Sequence, residues 1–222
     1  MTEDLTPGMR RREAWLIGLL RFGVVLTVAM AAYNAGLMLF LHWSETGAFS
    51  SNAAQDDYAL RLDLAGGVIG VSFLAFFIGS IIAYGLWVMR AVNLAKLRAP
   101  QIMTISPRWA FAWNVIPIAS LWMPLKAVAQ IWRAGGAGDP NEPLPGVFYL
   151  WWLSWIATNI LGQASWRVGG LQPSFEELKI TSRLDLAGDV LMLVACYGLI
   201  KVVRMIQARQ GAFDQEKVAA FE

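Results

Sequence analysis

The chain of 222 residues is 57% hydrophobic and 15% charged, with a formal net charge of +2 and a mean hydropathy of +0.48. Soluble domains average about 45–50% apolar and about 25% charged residues, so this composition excludes an ordinary soluble domain and points to a bilayer. The small net charge argues against nucleic acid as a partner, and the single cysteine, Cys196, excludes a disulfide framework or a thiolate metal cluster within one chain.

In chain order, residues 1–13 hold three consecutive arginines and are expected to form a cytoplasmic basic tail. The apolar run behind them predicts a first span over 14–42, longer than the roughly 7–15-residue core of a signal peptide and therefore read as retained. Arg21 within it can snorkel to the inner interface. Further spans are predicted over 62–90, 147–166 and 185–206, followed by a cytoplasmic tail at 211–222. A fifth apolar stretch, at 109–125, barely meets the lower limit of about 17 residues for a span. It holds Pro117 and Pro124, each of which removes a backbone donor and collides with the carbonyl four residues back. Beyond Pro124, Leu125, Val128 and Trp132 recur on one helical face and Lys126, Gln130 and Arg133 on another, the pattern of an amphipathic helix at an interface. The region 107–133 is therefore expected to enter and leave on one side.

Counting lysine and arginine tests that expectation, because cytoplasmic flanks carry the excess. With five spans the inner side holds ten against seven; with four spans and a hairpin it holds thirteen against four. A repeat agrees: RLDLAGGV at 61–68 recurs as RLDLAGDV at 183–190, and only the four-span arrangement starts both copies from the same face. The predicted fold is all-α, a polytopic membrane helix bundle. Four spans form two parallel two-helix repeats, joined by a proline-containing re-entrant or interfacial hairpin. Trp43 and Trp166 are expected at the outer interface, and Trp15, Trp87, Trp109, Trp151 and Trp152 at the inner one, as two aromatic belts.

The stretches WVMRAVNLAKL (87–97), ISPRWAFAWNVIPIASLWMPLKAVAQIWRA (105–134) and FYLWWLSW (148–155) resemble the bacterial integral membrane family DUF4328, a domain of unknown function. Trp87, Arg90, Asn93, Ser106, Pro107, Pro117 and Pro124 carry the resemblance, which covers about 62–203 and makes 14–210 the expected transmembrane domain. It implies a short multi-span bundle and brings no catalytic residue, cofactor or substrate with it.

Among polar residues, Asp63 and Asp185 follow Arg61 and Arg183 by two positions. They read first as helix starts that complement the dipole, and second as symmetry-related Arg/Asp sites for an ion or partner. Asp189 lies one turn deeper, where the first copy has Gly67. A carboxylate in hydrocarbon costs about 2.5 kcal/mol or more and normally pairs, and Arg167 is the expected partner. His42, with Asp56 and Asp57 in the following loop, supplies too few ligands for a metal. Gly66-x-x-x-Gly70 and Ala32-x-x-x-Gly36 read as packing faces, with Asn34, Asn159 and Gln163 as bridges between helices. No H-E-x-x-H, G-x-S-x-G, Walker or C-x-x-C signature is present.

The expectation is a non-enzymatic interaction or accessory protein of the bacterial inner membrane, with both termini cytoplasmic and no cofactor. Its partners are the lipid bilayer and another membrane protein or itself, docked through Trp113, Trp122 and Trp132. The alternative is a small carrier or channel with Asp189 and Arg167 on a polar path.

Overall fold

The computed structural model describes residues 6–136, 139–171 and 173–219, and the side chains of all of these except 6–10 and 212–219. Residues 1–5 and 220–222 of the two expected tails lie outside that set. Among the described residues the fold is all-helical, 83% helix with no strand. Six α-helices follow one another: α1 (Thr6–Thr46), α2 (Asn52–Arg98), α3 (Pro107–Ala112), α4 (Met123–Ala134), α5 (Gly146–Gly169) and α6 (Phe175–Ala219), with a 3-10 turn at Ala119–Leu121. Three stretches, Arg11–Thr46, Asn52–Arg98 and Phe175–Gly211, are long and apolar enough to cross a membrane.

The long helices start and stop where local chemistry dictates. α1 ends at Gly47, whose φ of 64° suits a residue without Cβ; the Ala48 amide then donates to the Trp43 carbonyl at 3.0 Å. α5 ends the same way at Gly170, φ 59°, with its amide on the Trp166 carbonyl at 2.9 Å. Ser51 receives the Ala54 amide at 3.2 Å at the start of α2. At the start of α6, Ser174 and Glu177 form a capping box: Glu177 Oε2 accepts from the Ser174 amide at 2.7 Å, and Ser174 Oγ accepts from the Glu177 amide at 3.4 Å.

α2 and α6 each begin about ten residues before the apolar windows that announced them, because their first turns are polar and hydropathy alone does not see them. Asp63 and Asp185 therefore lie about three turns inside their helices and cap nothing.

The proline segment is broken as expected. Ser106 caps α3 by accepting from the Trp109 amide, and Pro107 occupies the first turn, where no donor is needed. The chain then turns around Pro117, with Ser120 Oγ donating to the Pro117 carbonyl at 2.7 Å, and restarts at α4 with Pro124 in its first turn. α4 does not lie free at a surface. Ala127, Val128, Ile131 and Ala134 form one buried stripe, and Gln130, expected on the polar face, is buried too. Its amide donates to Thr104 Oγ1 at 2.7 Å.

Two compact units divide the described chain. Unit 1 draws on the described residues within Met1–Leu20, Ile78–Trp152 and Tyr197–Glu222; unit 2 draws on those within Arg21–Phe77 and Leu153–Cys196. The core of unit 1 holds Trp87, Val88, Val92, Val128, Ile131, Phe148, Val202 and Val203, all fully buried. Arg209 clamps this unit. Its Nη2 reaches Glu142 Oε2 at 2.7 Å, its guanidinium lies 4.1 Å from the Trp132 ring centroid, and Trp132 in turn packs on Phe148 at 5.4 Å. In unit 2 an aromatic cluster of Phe40, Trp43, Phe49 and Tyr58 fastens the α1–α2 turn, with ring centroids 5.8 to 6.1 Å apart. At the α5–α6 end, Lys179 is paired with Glu176 at 3.0 Å and with Glu45 of α1.

Candidate functional site

Unit 2 gathers most of the acidic residues singled out in the sequence. Asn34 of α1 donates from Nδ2 to Asp189 Oδ2 of α6 at 2.9 Å, and both side chains are buried. One turn earlier on α6, the half-buried Asp185 lies near Ser165 of α5. The Tyr33 hydroxyl feels the charges of both Asp63 and Asp185 and packs against Gly66 of α2, where an added Cβ would stand 2.8 Å from its oxygen. Thr158 Oγ1 closes the set by donating to the Gly188 carbonyl at 3.3 Å. Side chains of all four long helices thus meet around two aspartates.

The expected Arg167–Asp189 pair is not formed. Arg167 sits in the last turn of α5, whereas Asp189 lies about 21 Å along α6 from its start at 1.5 Å per residue. The depths do not match, and an asparagine supplies the donor instead. The two Arg/Asp motifs also differ from each other. Arg61 pairs with Asp57 one turn earlier, at 2.9 Å on an exposed face, while Arg183 is exposed and Asp63 is exposed but Asp185 half-buried. Of the other expected bridges, Asn159 donates to its own helix at the Trp155 carbonyl, 2.7 Å away.

Tryptophan positions need a similar correction. Trp15, Trp43, Trp109 and Trp166 are exposed as belt residues should be, but Trp87, Trp151 and Trp152 are buried core. Trp87 packs on Tyr84 with ring centroids 5.7 Å apart, and Trp152 Nε1 donates to the Leu121 carbonyl at 3.2 Å. Of the three expected docking tryptophans, Trp122 is exposed, Trp113 is half-buried against Trp109 at 5.9 Å, and Trp132 lies under Arg209.

Unit 1 contains a feature that charge counting alone missed. A cavity of about 510 Å³ opens between α1, the end of α2 and the start of α3, and Arg12, Arg90 and Arg108 all line it together with Asn93 and Ser106. Met89 and Pro107 complete the wall. Arg12 is held in place by donating from Nη1 to the Leu86 carbonyl at 3.3 Å. Arg90, Asn93, Ser106 and Pro107, picked out in the sequence as motif positions, come together here. Pro117 and Pro124 do not; they shape the turn and the α4 start. Three guanidinium groups therefore line one cavity, and a planar fork of donors is a good match for an oxyanion.

Comparison with known families gives one match, a family model described as "Domain of unknown function (DUF4328)", over residues 50–208. No curated protein and no solved structure matches the chain.

Proposed function

The chain belongs to the DUF4328 family, a domain of unknown function, and from that premise we propose that it is a non-enzymatic, four-span accessory subunit of the bacterial inner membrane. It docks another membrane protein, or a second copy of itself, through the outward face of α2.

Several observations support four spans. Besides the three apolar helices, α5 has 24 residues, about 36 Å of helix against a hydrocarbon core of about 30 Å. Its mean hydropathy falls short because tryptophan, asparagine and glutamine count as polar on that index, although tryptophan favours membrane interfaces. The repeat gains support from spacing. Trp43, Gly47 and Ser51 recur as Trp166, Gly170 and Ser174, each set ending one helix and capping the next. Both of these turns belong to unit 2, while the described start of α1, the described end of α6 and the proline segment belong to unit 1. Thirteen of the 18 lysines and arginines fall in unit 1, which favours a cytoplasmic location for both termini and a proline segment that returns to their side.

The face of α2 carries the docking proposal. Only 6% of its most apolar window is buried, against 50% for α6. Gly67 and Gly70 have nothing within 4 Å of an added Cβ and sit among exposed Leu64, Val68, Val71 and Leu74. A helical glycine costs about 1 kcal/mol relative to alanine, and lipid gives nothing back for it, whereas a second helix can approach closely over it. A photo-crosslinking residue at Val71 in native membranes is expected to give one dominant protein adduct, with this chain or with another. Adducts to lipid alone would remove the docking reading.

A carrier built on the polar cluster of unit 2 is the second reading, favoured by the buried Asn34–Asp189 contact. It requires that reconstituted flux exist and vanish in Asp189→Asn.

A further inference from the structure

We propose, on the reading that the outward face of α2 docks a protein, that its occupant is a second copy of this chain, packed α2 against α2 in parallel about a two-fold axis.

Within unit 2, α2 meets α1 through Leu62, Gly66 and Phe76. A Cβ added at Gly36 of α1 would stand 3.7 Å from Leu62, one added at Gly66 would stand 2.8 Å from the Tyr33 hydroxyl, and Phe76 covers Gly23. At about 100° per residue, the opposite side of the helix carries Leu60, Leu64, Gly67, Val71 and Leu74, all exposed. Their spacing alternates between four and three residues, the repeat that keeps one seam facing a partner when two helices wind around each other. The seam runs about 21 Å at 1.5 Å per residue. Gly67 within it and Gly70 beside it touch nothing in their own chain and let a second backbone approach closely.

Charge selects the occupant. With Leu60 and Leu64 as successive d and a positions of that repeat, Asp56 falls at g and Arg61, five residues later, at e. Both are exposed. In a parallel pair in register, each g residue faces the following e residue of the other helix, so Asp56 of each copy meets Arg61 of the other and the two-fold makes two such pairs. Arg61 also holds Asp57 of its own helix at 2.9 Å, and a guanidinium with five donors can serve both carboxylates. The membrane imposes the parallel direction, because the same lysine and arginine bias orients every copy. An unrelated helix would need an acid and a base placed to match, whereas a second copy brings both by symmetry.

Single cysteines in the full-length protein, in a Cys196→Ala background, are oxidised in native membranes and read as disulfide-linked dimers on a gel. Leu64→Cys and Val71→Cys are expected to link, because only seam positions bring two Cβ atoms within about 4.5 Å. Ala65→Cys, exposed but turned off the seam, is expected to stay monomeric. Charge swaps then test the register. Added to Val71→Cys, D56K alone and R61E alone are each expected to lower the dimer yield at least about threefold, since both pairs now repel. Co-expressed under different tags, the D56K copy and the R61E copy are expected to link to each other at the unswapped level, since both pairs are again of opposite sign. Equal linking at Ala65→Cys and Val71→Cys, no dimer at any of the three positions, or no recovery in the mixed pair would overturn the proposal. A photo-adduct from Val71 to a different protein would also overturn it and leave the docking reading standing, while adducts to lipid alone would remove both.

Discussion

Gly198→Leu is expected to lower stability by about 3 kcal/mol, the upper end of the range for overpacking a core. A Cβ at Gly198 of α6 would stand 2.8 Å from the Trp151 Cβ, 3.0 Å from its Cα and 3.2 Å from its amide nitrogen. Two of these three atoms are backbone, so α5 itself has to move away rather than a side chain swinging aside. Trp151 is buried and packs on Trp152 at 5.4 Å and on Tyr84 at 6.2 Å. Displacing it also pulls on the Trp152 bond to the Leu121 carbonyl, which anchors the 3-10 turn of the proline segment. Gly188→Ala is the matched control, because its added Cβ meets only Leu161 at 3.9 Å. Unfolding by SDS titration, followed through tryptophan fluorescence, measures both. Wild-type stability in Gly198→Leu would show that α5 and α6 do not approach so closely.

Asn34→Leu comes next, at about 2–3 kcal/mol, because it strips the donor from a buried carboxylate that has no other described partner side chain. Asp189→Asn should cost much less, since the new amide oxygen can still accept from Asn34. In the double variant Asn34→Leu with Asp189→Leu much of the loss is expected to return, as a buried polar pair replaced by well-packed apolar groups is often near neutral. The same titration measures all three. An Asn34→Leu protein as stable as wild type would mean that the 2.9 Å contact contributes nothing, and the carboxylate would then have to be explained by function.

How much of this was legible beforehand depends on the physics behind each signal. The apolar centres of α1, α2, α5 and α6 and the break at Pro117 and Pro124 were readable, because hydropathy and proline sterics act locally. The helix starts were not. The first turns of α2 and α6 are polar, and the signals that set them, Ser51 and the Ser174–Glu177 capping box, are short patterns that a hydropathy window passes over. That one error propagated, since placing the start of α6 near Asp185 brought Asp189 level with Arg167 and suggested an ion pair. Belt assignment failed at Trp87, Trp151 and Trp152 because position along a span says nothing about rotation around it. In the cavity, Arg90, Asn93 and Ser106 stood out through the family resemblance, but Arg12 and Arg108 were counted only as topology charges. Their meeting joins stretches far apart in the chain, a contact no local pattern announces.

The central claim is that the proline segment returns to the side it came from. Single cysteines at Ser50, Asn141 and Leu171, in a Cys196→Ala background, can be exposed to a membrane-impermeant maleimide applied to intact cells. Labelling at positions 50 and 171 with protection at 141 is the expected result, because both short turns then face outward and the α4–α5 connection faces the cytoplasm. Labelling at 50 and 141 with protection at 171 would mean five spans and would contradict the parallel arrangement of the two helix pairs.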